Sequence, residues 1–187
     1  MKHSPAKWDD ETLVKACLKG KAEAQKALYD RFSPVMMGLC YRYARTRRDA
    51  EDILQDGFIR VFFSLDQYRG TGSLEGWIKK IMITTAINSL KRNRHFFEPL
   101  ETARASEVAG SLSSDNHLQE KDVLEAIGLL PPGYRAILNL YAIEGYSHRE
   151  IGEMLQITES TSRSQYARAK HFLSRVLHEE PQVLVDK

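Results

Sequence analysis

The chain has 187 residues, of which 42% are hydrophobic and 28% are charged, a composition typical of a globular chain with a buried core. Its net charge of +2 does not by itself indicate nucleic-acid binding, so the distribution of charge along the chain has to be considered. The longest stretches without a charged residue, 32–41 and 81–90, are ten residues long, whereas a membrane span needs about 20 apolar residues. The polar N-terminus lacks the apolar core of a secretory signal, and we expect a cytoplasmic protein that does not insert into a membrane.

Helical periodicity runs from Asp9 to about His95. Gly20 predicts the end of a first helix, and Ser33-Pro34 predicts a second start, because proline suits the first turn of a helix. One apolar stripe at helical spacing consists of Ala24, Leu28, Phe32, Val35, Leu39 and Tyr43. A second stripe consists of Ala50, Ile53, Leu54, Phe58, Val61, Phe62 and Leu65.

Glycines in residues 68–73 predict a loop, and a further helix is predicted from Leu74 to Arg92. Residues 98–117 are rich in Ala, Ser, Glu and Asp, which favours a linker. Helical periodicity returns between residues 118 and 178. Strand-like alternation is missing from the sequence, so we predict an all-α fold. Two small helical domains, residues 10–96 and 118–178, would be joined by a flexible linker of residues 97–117.

The segment from Tyr146 to Leu173 has the pattern of a helix-turn-helix. Ser147 followed by Glu150 three residues later predicts a capping box at the start of a short helix. Residues 156–158 break that helix, and a longer one starts at Glu159. A second helix in this arrangement can lie in the major groove of DNA.

The longer helix, residues 159–175, carries an excess of three positive charges. Its spacing places one set of residues toward the core: Ser162, Tyr166, Ala169 and Leu173. The outward set, which includes the arginines suited to guanine edges, is Arg163, Ser164, Ala167, Arg168 and His171. A basic helix face that is merely solvated gives the same pattern.

Charge is segregated in the first half of the chain. Residues 49–65 carry an excess of three negative charges, whereas residues 77–97 carry five positive charges and no acid. This segregation suggests two different partners, although the two helices could also simply attract each other.

Large apolar residues accompany the carboxylates on the outer side of the acidic helix, a combination that suggests a protein interface. The alternative is that a neighbouring helix buries Ile59 and Phe63. The stripe consists of Asp52, Gln55, Asp56, Ile59 and Phe63.

The basic helix contains Trp77 and follows a loop that contains Tyr68. Basic side chains suit phosphates, and aromatic rings can stack on unpaired bases. Trp77 could equally be a core residue.

Three segments resemble bacterial sigma factors. DAEDILQDGFIRVFFSL is similar to the polymerase-binding helix, and YRGTGSLEGWIKKIMITTAINSLKRNR resembles the segment that melts the promoter and recognises its −10 element. LPPGYRAILNLYAIEGYSHREIGEMLQITESTSRSQYARAKHFL resembles the helix-turn-helix that binds the −35 element. Their order and spacing are similar to the two-domain extracytoplasmic-function (ECF) class.

The resemblance implies a protein that directs core RNA polymerase to specific promoters, helps open the −10 region and has no catalytic activity, cofactor or metal of its own. It also implies an anti-sigma factor as a partner. The residues implied in binding core polymerase are Asp52, Gln55, Asp56, Ile59 and Phe63. Those implied at single-stranded −10 DNA are Tyr68, Arg69, Ser73, Trp77, Lys80, Thr84, Lys91 and Arg92. Those implied at duplex −35 DNA are Arg149, Thr161, Arg163, Ser164, Ala167, Arg168 and His171.

Two positions depart from the family pattern. Thr84 replaces a usual Asn, and Ser162 replaces an apolar core residue, a change that costs about 1 kcal/mol or more unless the hydroxyl bonds its own backbone.

Three other functions remain open at this stage. A helix-turn-helix regulator that binds DNA as a dimer would leave the acidic helix unexplained. An enzyme is disfavoured because the six histidines are scattered and form no metal-binding or nucleophile motif. A sigma mimic that only binds an anti-sigma factor would need a weakened DNA-binding face.

Overall fold

The computed structural model describes residues 8–92 and 120–178, and every regular element in these two ranges is helical, as predicted. The chain divides into two compact units, residues 1–89 and 90–187. The predicted linker, residues 97–117, lies outside the described residues, as do both predicted domain boundaries. The domain limits therefore stay predictions.

The described residues 8–92 form four helices and one 3-10 turn. Asp9 caps α1 by accepting a hydrogen bond from the Thr12 backbone, and α3 begins with a capping box between Thr46 and Asp49. The elements are α1 (Asp10–Leu18), α2 (Ala22–Tyr43), α3 (Arg47–Phe63), the 3-10 turn Leu65–Gln67, and α4 (Leu74–Arg92).

Helix α2 is continuous through Pro34, so the predicted break at Ser33-Pro34 is wrong. Proline in a helix interior costs about 3 kcal/mol. Phe32 and Met36 are buried on either side of it, and their burial offsets this cost. Val35 was predicted to face the core but is 56% exposed, because Met36 continues the buried stripe in its place.

The core of the first unit lies between the apolar faces of its helices. Gly57 of α3 is buried against Met82 of α4, where a Cβ would overlap the thioether of that methionine. Cys17 and Cys40 are free, buried thiols in this core, and burial raises the pKa of Cys40 to about 12. The second stripe is buried as predicted except for Phe62, which is half-buried.

The second unit contains α5 (Glu120–Leu129), α6 (Pro132–Leu138), α7 (His148–Leu155) and α8 (Glu159–His178). A π-helical turn, Asn139–Ile143, extends α6. The buried Arg135 donates to the carbonyl oxygens of Gly128 and Leu130 and so caps the end of α5. One cluster of the core of this unit consists of Ala126, Ile127, Leu130, Tyr134, Leu138, Ala169, Phe172 and Val176.

In the part of the chain that the structure describes, no helix combines the length and the apolar character needed to cross a membrane.

Candidate protein and nucleic-acid interfaces

The outer side of α3 forms an acidic–apolar face, defined as Asp52, Gln55, Asp56, Ile59 and Phe63. All five side chains are exposed, and Ile59 and Phe63 leave 53% and 86% of their surface in solvent. No described neighbour buries these two side chains, so the alternative that a neighbouring helix covers Ile59 and Phe63 is wrong. The opposite side of α3 supplies the core, and the described residues leave this face exposed.

The two carboxylates of this face make no ion pair with the described part of the basic helix. Asp52 and Asp56 form no ion pair with any described residue, so the structure does not support mutual attraction as the reason for the charge segregation. The ion pair seen on α3 joins Arg47 and Glu51 within the helix and lies away from the apolar residues. Negative charge on the acidic–apolar face therefore stays available to a basic partner.

The loop before α4 is held in shape by its own residues. The hydroxyl of Tyr68 donates to the Gly72 carbonyl oxygen over 2.6 Å, and the Tyr68 ring lies 5.7 Å from that of Trp77. The Ser73 side chain accepts from the Gly76 backbone over 3.1 Å and caps the start of α4. Both side chains are half-buried, so Trp77 packs against Tyr68 of the loop and keeps part of its surface in solvent.

A cleft of about 570 Å³ lies between the end of α3 and the first half of α4. Phe63 is the residue of the acidic–apolar face that lines this cleft, and it shares the cleft with Trp77 and two further predicted −10 residues, Lys80 and Thr84. The cleft is lined by Arg60, Phe63, Ser64, Gln67, Trp77, Lys80, Ile81, Thr84 and Thr85.

Not all predicted −10 residues lie in this cleft. Trp77, Lys80 and Thr84 line it, and the Thr84 hydroxyl donates to the Lys80 carbonyl oxygen over 2.9 Å, so it can offer a partner only its lone pairs. The remaining predicted residues lie outside the lining of the cleft: Tyr68, Arg69 and Ser73 in the loop, and Lys91 and Arg92 in the last turn of α4.

The helix-turn-helix forms as predicted, with local bonds at each of its ends. Ser147 and Glu150 make the capping box of α7. Gln156 ends that helix in the left-handed region, with φ of 60°. The Thr158 hydroxyl accepts from the Thr161 backbone over 3.1 Å and caps α8.

The predicted outward residues of α8 form a recognition face, defined as Arg163, Ser164, Ala167, Arg168 and His171. All five are exposed, as is the predicted Arg149 of α7. Arg163 pairs with Glu159 one turn earlier, and this hydrogen bond holds the pKa of the Glu159 carboxyl below its usual value.

Thr161 fits the predicted DNA-contact role less well than the recognition face does. It is half-buried, and its hydroxyl lies 2.7 Å from that of Thr158, so it takes part in the cap. The prediction that Ser162 and Ala169 face the core is confirmed, since both are fully buried.

His148, the first residue of α7, contacts α8 and was not among the residues predicted from the sequence. Nδ1 of His148 is 2.9 Å from the hydroxyl oxygen of Ser162, so the buried serine is bonded across the turn rather than to its own backbone. Desolvation, followed by the charge of Arg163, lowers the pKa of His148, while Glu159 acts in the opposite direction. The only signal in the sequence was the polar residue at a core position, which required a partner.

Two family models match the chain: Sigma-70 region 2 over residues 28–96, and Sigma-70, region 4 over residues 120–173. The chain belongs to the sigma-70 family of RNA polymerase sigma factors. Within that family its relatives place it in the ECF group.

Two curated relatives are similar over most of their length. The RNA polymerase sigma-H factor of Pseudomonas aeruginosa is 28% identical, over 90% of this chain and 93% of its own. The ECF RNA polymerase sigma-E factor of Haemophilus influenzae is 26% identical, over 88% and 93%. A Bartonella quintana sigma factor RpoE, solved with the anti-sigma factor NepR, shares the fold with a TM-score of 0.52 and 16% identity, over 81% of this chain and 95% of that chain.

Proposed function

We propose that the acidic–apolar face of α3 binds core RNA polymerase. The observation that carries this proposal is the exposure of Phe63 and Ile59 beside carboxylates that have no partner among the described residues. An apolar centre with charged neighbours is the usual make-up of a protein interface. A partner that covers this face would bury the two apolar side chains and place basic groups near Asp52 and Asp56.

The neighbouring loop and cleft hold the single-stranded −10 element. The half-buried rings of Tyr68 and Trp77 offer stacking surfaces, and Lys80 supplies positive charge to the backbone phosphates. Thr84 offers only acceptor lone pairs, so we infer that it favours a base edge with a donor. Arg69, Ser73, Lys91 and Arg92 would contact the flanking backbone.

The recognition face reads the −35 duplex from the major groove. Arg163 and Arg168 can each pair with a guanine edge, and Arg163 must exchange its contact with Glu159 to do so. Arg149 lies at the start of α7, where it suits a phosphate, and Thr161 acts through the cap.

The two DNA contacts work as one because both are carried by a chain that is docked on the same enzyme. Joining them raises the effective concentration of each at its site, so that individually weak contacts suffice. The chain supplies this binding energy and no bond chemistry. A protein that works on bacterial RNA polymerase in this way acts in the cytoplasm.

An anti-sigma factor is the expected regulator. The Bartonella relative was solved with one, and the acidic–apolar and recognition faces of this chain are both exposed. A regulator that covers both would block polymerase and DNA together. Isolation of the chain from unstressed native cells without any bound protein would count against this partner.

Run-off transcription tests the function as a whole. Purified bacterial core polymerase is mixed with the chain and a library of genomic fragments, and the 5′ ends of new transcripts are sequenced. We expect discrete start sites preceded by a shared pair of elements.

Two other outcomes would each contradict part of the proposal. Tight binding to core polymerase without any start site would indicate a sigma mimic. The absence of both would favour a regulator that binds duplex DNA without polymerase.

A further inference from the structure

Ser162 places a hydroxyl in the core of the second unit. The residue is fully buried near the N-terminus of α8, directly before Arg163 of the recognition face. A buried hydroxyl without a hydrogen bond would destabilise this site. The 2.9 Å contact with Nδ1 of His148 satisfies it and joins the first residue of α7 to α8 across 14 residues of sequence.

The His148 ring is itself held in place by aromatic neighbours. Tyr141, in the π-helical turn, stacks on it with ring centroids 4.2 Å apart and an interplanar angle of 11°. Tyr166 of α8 approaches both rings, at 4.6 Å from Tyr141 and 5.7 Å from His148. Three successive elements therefore meet at one imidazole: the ring contacts restrict its plane, and the contact with Ser162 orients its Nδ1 atom.

The rotation of a helix about its axis decides which residues face outward. Consecutive residues are about 100° apart, so a fixed inward direction at Ser162 determines the outward directions of the residues that follow it. An apolar side chain in this position would contribute burial but no directional bond. A hydrogen bond restricts both the distance and the angle.

We propose that His148 and Ser162 form a polar joint that sets the rotation of α8 against α7, which makes both of them positioning residues for sequence reading by Arg163 and Arg168. This inference rests on the proposed binding of the −35 duplex. Tyr141 supports the joint by stacking on the imidazole. The charged groups around it are Arg163 and Glu159 on α8 and the neighbouring Arg149 on α7.

The first test uses the full chain with core polymerase and a duplex that the wild-type complex selects from a randomised 30-base-pair pool. Removing one hydrogen bond should weaken binding to the selected duplex about tenfold in Ser162→Ala and in His148→Phe. The double variant should lose little more than either single variant, because both changes remove the same bond. If the affinity loss of the double variant equals the product of the two single losses, the two residues act independently and the proposed joint is contradicted.

Two histidine variants separate the hydrogen bond from the stacking. His148→Asn keeps a polar group near the Nδ1 position but loses the ring, whereas His148→Phe keeps the ring and loses the bond. We expect His148→Asn to retain more of the sequence preference. The opposite order would assign the effect to stacking alone.

Ser174→Ala is the matched control, because Ser174 is an exposed serine on the same helix. It should leave the selected sequence and the affinity unchanged. If Ser162→Ala weakens the selected and the random duplexes equally, in step with a lower melting temperature, its role is only structural and the proposal fails.

A readout without DNA keeps the inference separate from the proposed function. The NMR titration of the His148 imidazole in the full chain should shift in Ser162→Ala and stay unchanged in Ser174→Ala. If the titration of His148 does not shift in Ser162→Ala, the proposed joint is contradicted even when DNA binding is observed. A wild-type complex that selects no sequence would instead overturn the proposed −35 binding, whatever the titration shows.

Discussion

At the scale of single residues, the phenyl ring of Phe63 stands out because most of it is in water. We expect Phe63→Ala to weaken binding to core polymerase, and Asp56→Arg with Phe63→Ala to abolish it, since apolar burial and charge complementarity are lost together. Binding can be measured by the co-elution of chain and core enzyme. Helix content should not change, because neither side chain contributes to the core.

Val35 supplies the control for this experiment. It is also an exposed apolar residue of the first unit, but it lies on α2 and is not part of the acidic–apolar face of α3. Val35→Ala should bind core polymerase like the wild-type chain. If the Phe63 variants and the Val35 variant bind core polymerase with equal affinity, α3 is not part of the interface.

Arg168 has no ion-pair partner among the described residues, whereas Arg163 is paired with Glu159. If Arg168 contacts a guanine edge, Arg168→Ala should cost about 1–3 kcal/mol on the matching −35 duplex and relax the preference at one base. Lys170→Ala, which removes a charge from another side of α8, should weaken all duplexes alike. Equal losses on matching and random DNA for Arg168→Ala would make it a phosphate contact.

His148 predicts a pH dependence for the second unit. Its pKa is lowered in the folded chain from the ordinary value of 6.5, so the unfolded chain binds the proton more tightly. The contribution of the neutral His148 to the free energy of unfolding is therefore fully present above the unfolded pKa of about 6.5. It is lost as the pH falls toward the folded pKa. Thermal unfolding across this range should show the loss, and His148→Asn should reduce it.

The titration of Glu150 and Glu159 does not overlap the pH range in which His148 is expected to act. The pKa values of Glu150 and Glu159 are also lowered, from 4.5, so their contributions are lost only at more acidic pH. An identical slope between pH 6.5 and 5 in the wild-type chain and in His148→Asn would contradict the assignment to His148.

At the scale of the elements, the turn between α7 and α8 depends on a small residue. A Cβ at Gly152 would lie 2.8 Å from the carbonyl oxygen of Ile157, and backbone at such a turn cannot move away easily. We expect Gly152→Val to destabilise the second unit by about 1–3 kcal/mol through overpacking. Gly128→Val is the control, because open space surrounds Gly128 on α5. Similar unfolding midpoints for the two variants would contradict this packing.

Elements with a clear start or stop signal could be predicted closely from the sequence. The helix from Leu74 to Arg92 and the capping box of α7 are examples, since loop glycines and capping residues act locally. The prediction of a helix start at Pro34 is wrong because this local preference is outweighed by the burial of the residues on both sides, which only the tertiary structure provides.

In the candidate site, too, features set by local sequence patterns could be predicted, whereas features set by tertiary packing could not. Exposure of the acidic–apolar and recognition faces follows from helical periodicity and could be predicted. The partner of Ser162 could not, because the π-helical turn that brings Tyr141 onto His148 has no clear sequence signal and depends on packing.

At the scale of the whole molecule, the proposed function requires a covalent connection between the two units. We expect that cutting a protease site inserted into the predicted linker, residues 97–117, will reduce promoter-specific transcription about 100-fold or more, because the effective concentration is lost. The uncut insertion should cost little, since loop closure depends only weakly on length. Full activity after complete cleavage would show that each unit binds polymerase tightly alone.

The buried thiols of the first unit have a practical consequence for such experiments. With burial raising the pKa of Cys40 to about 12 and that of Cys17 in the same direction, almost no thiolate is present at neutral pH to react with a maleimide. A cysteine introduced at Ser174 would then take up a fluorophore selectively. Single-site labelling of an otherwise natural sequence would allow the motion of α8 to be followed by fluorescence while the holoenzyme opens a promoter.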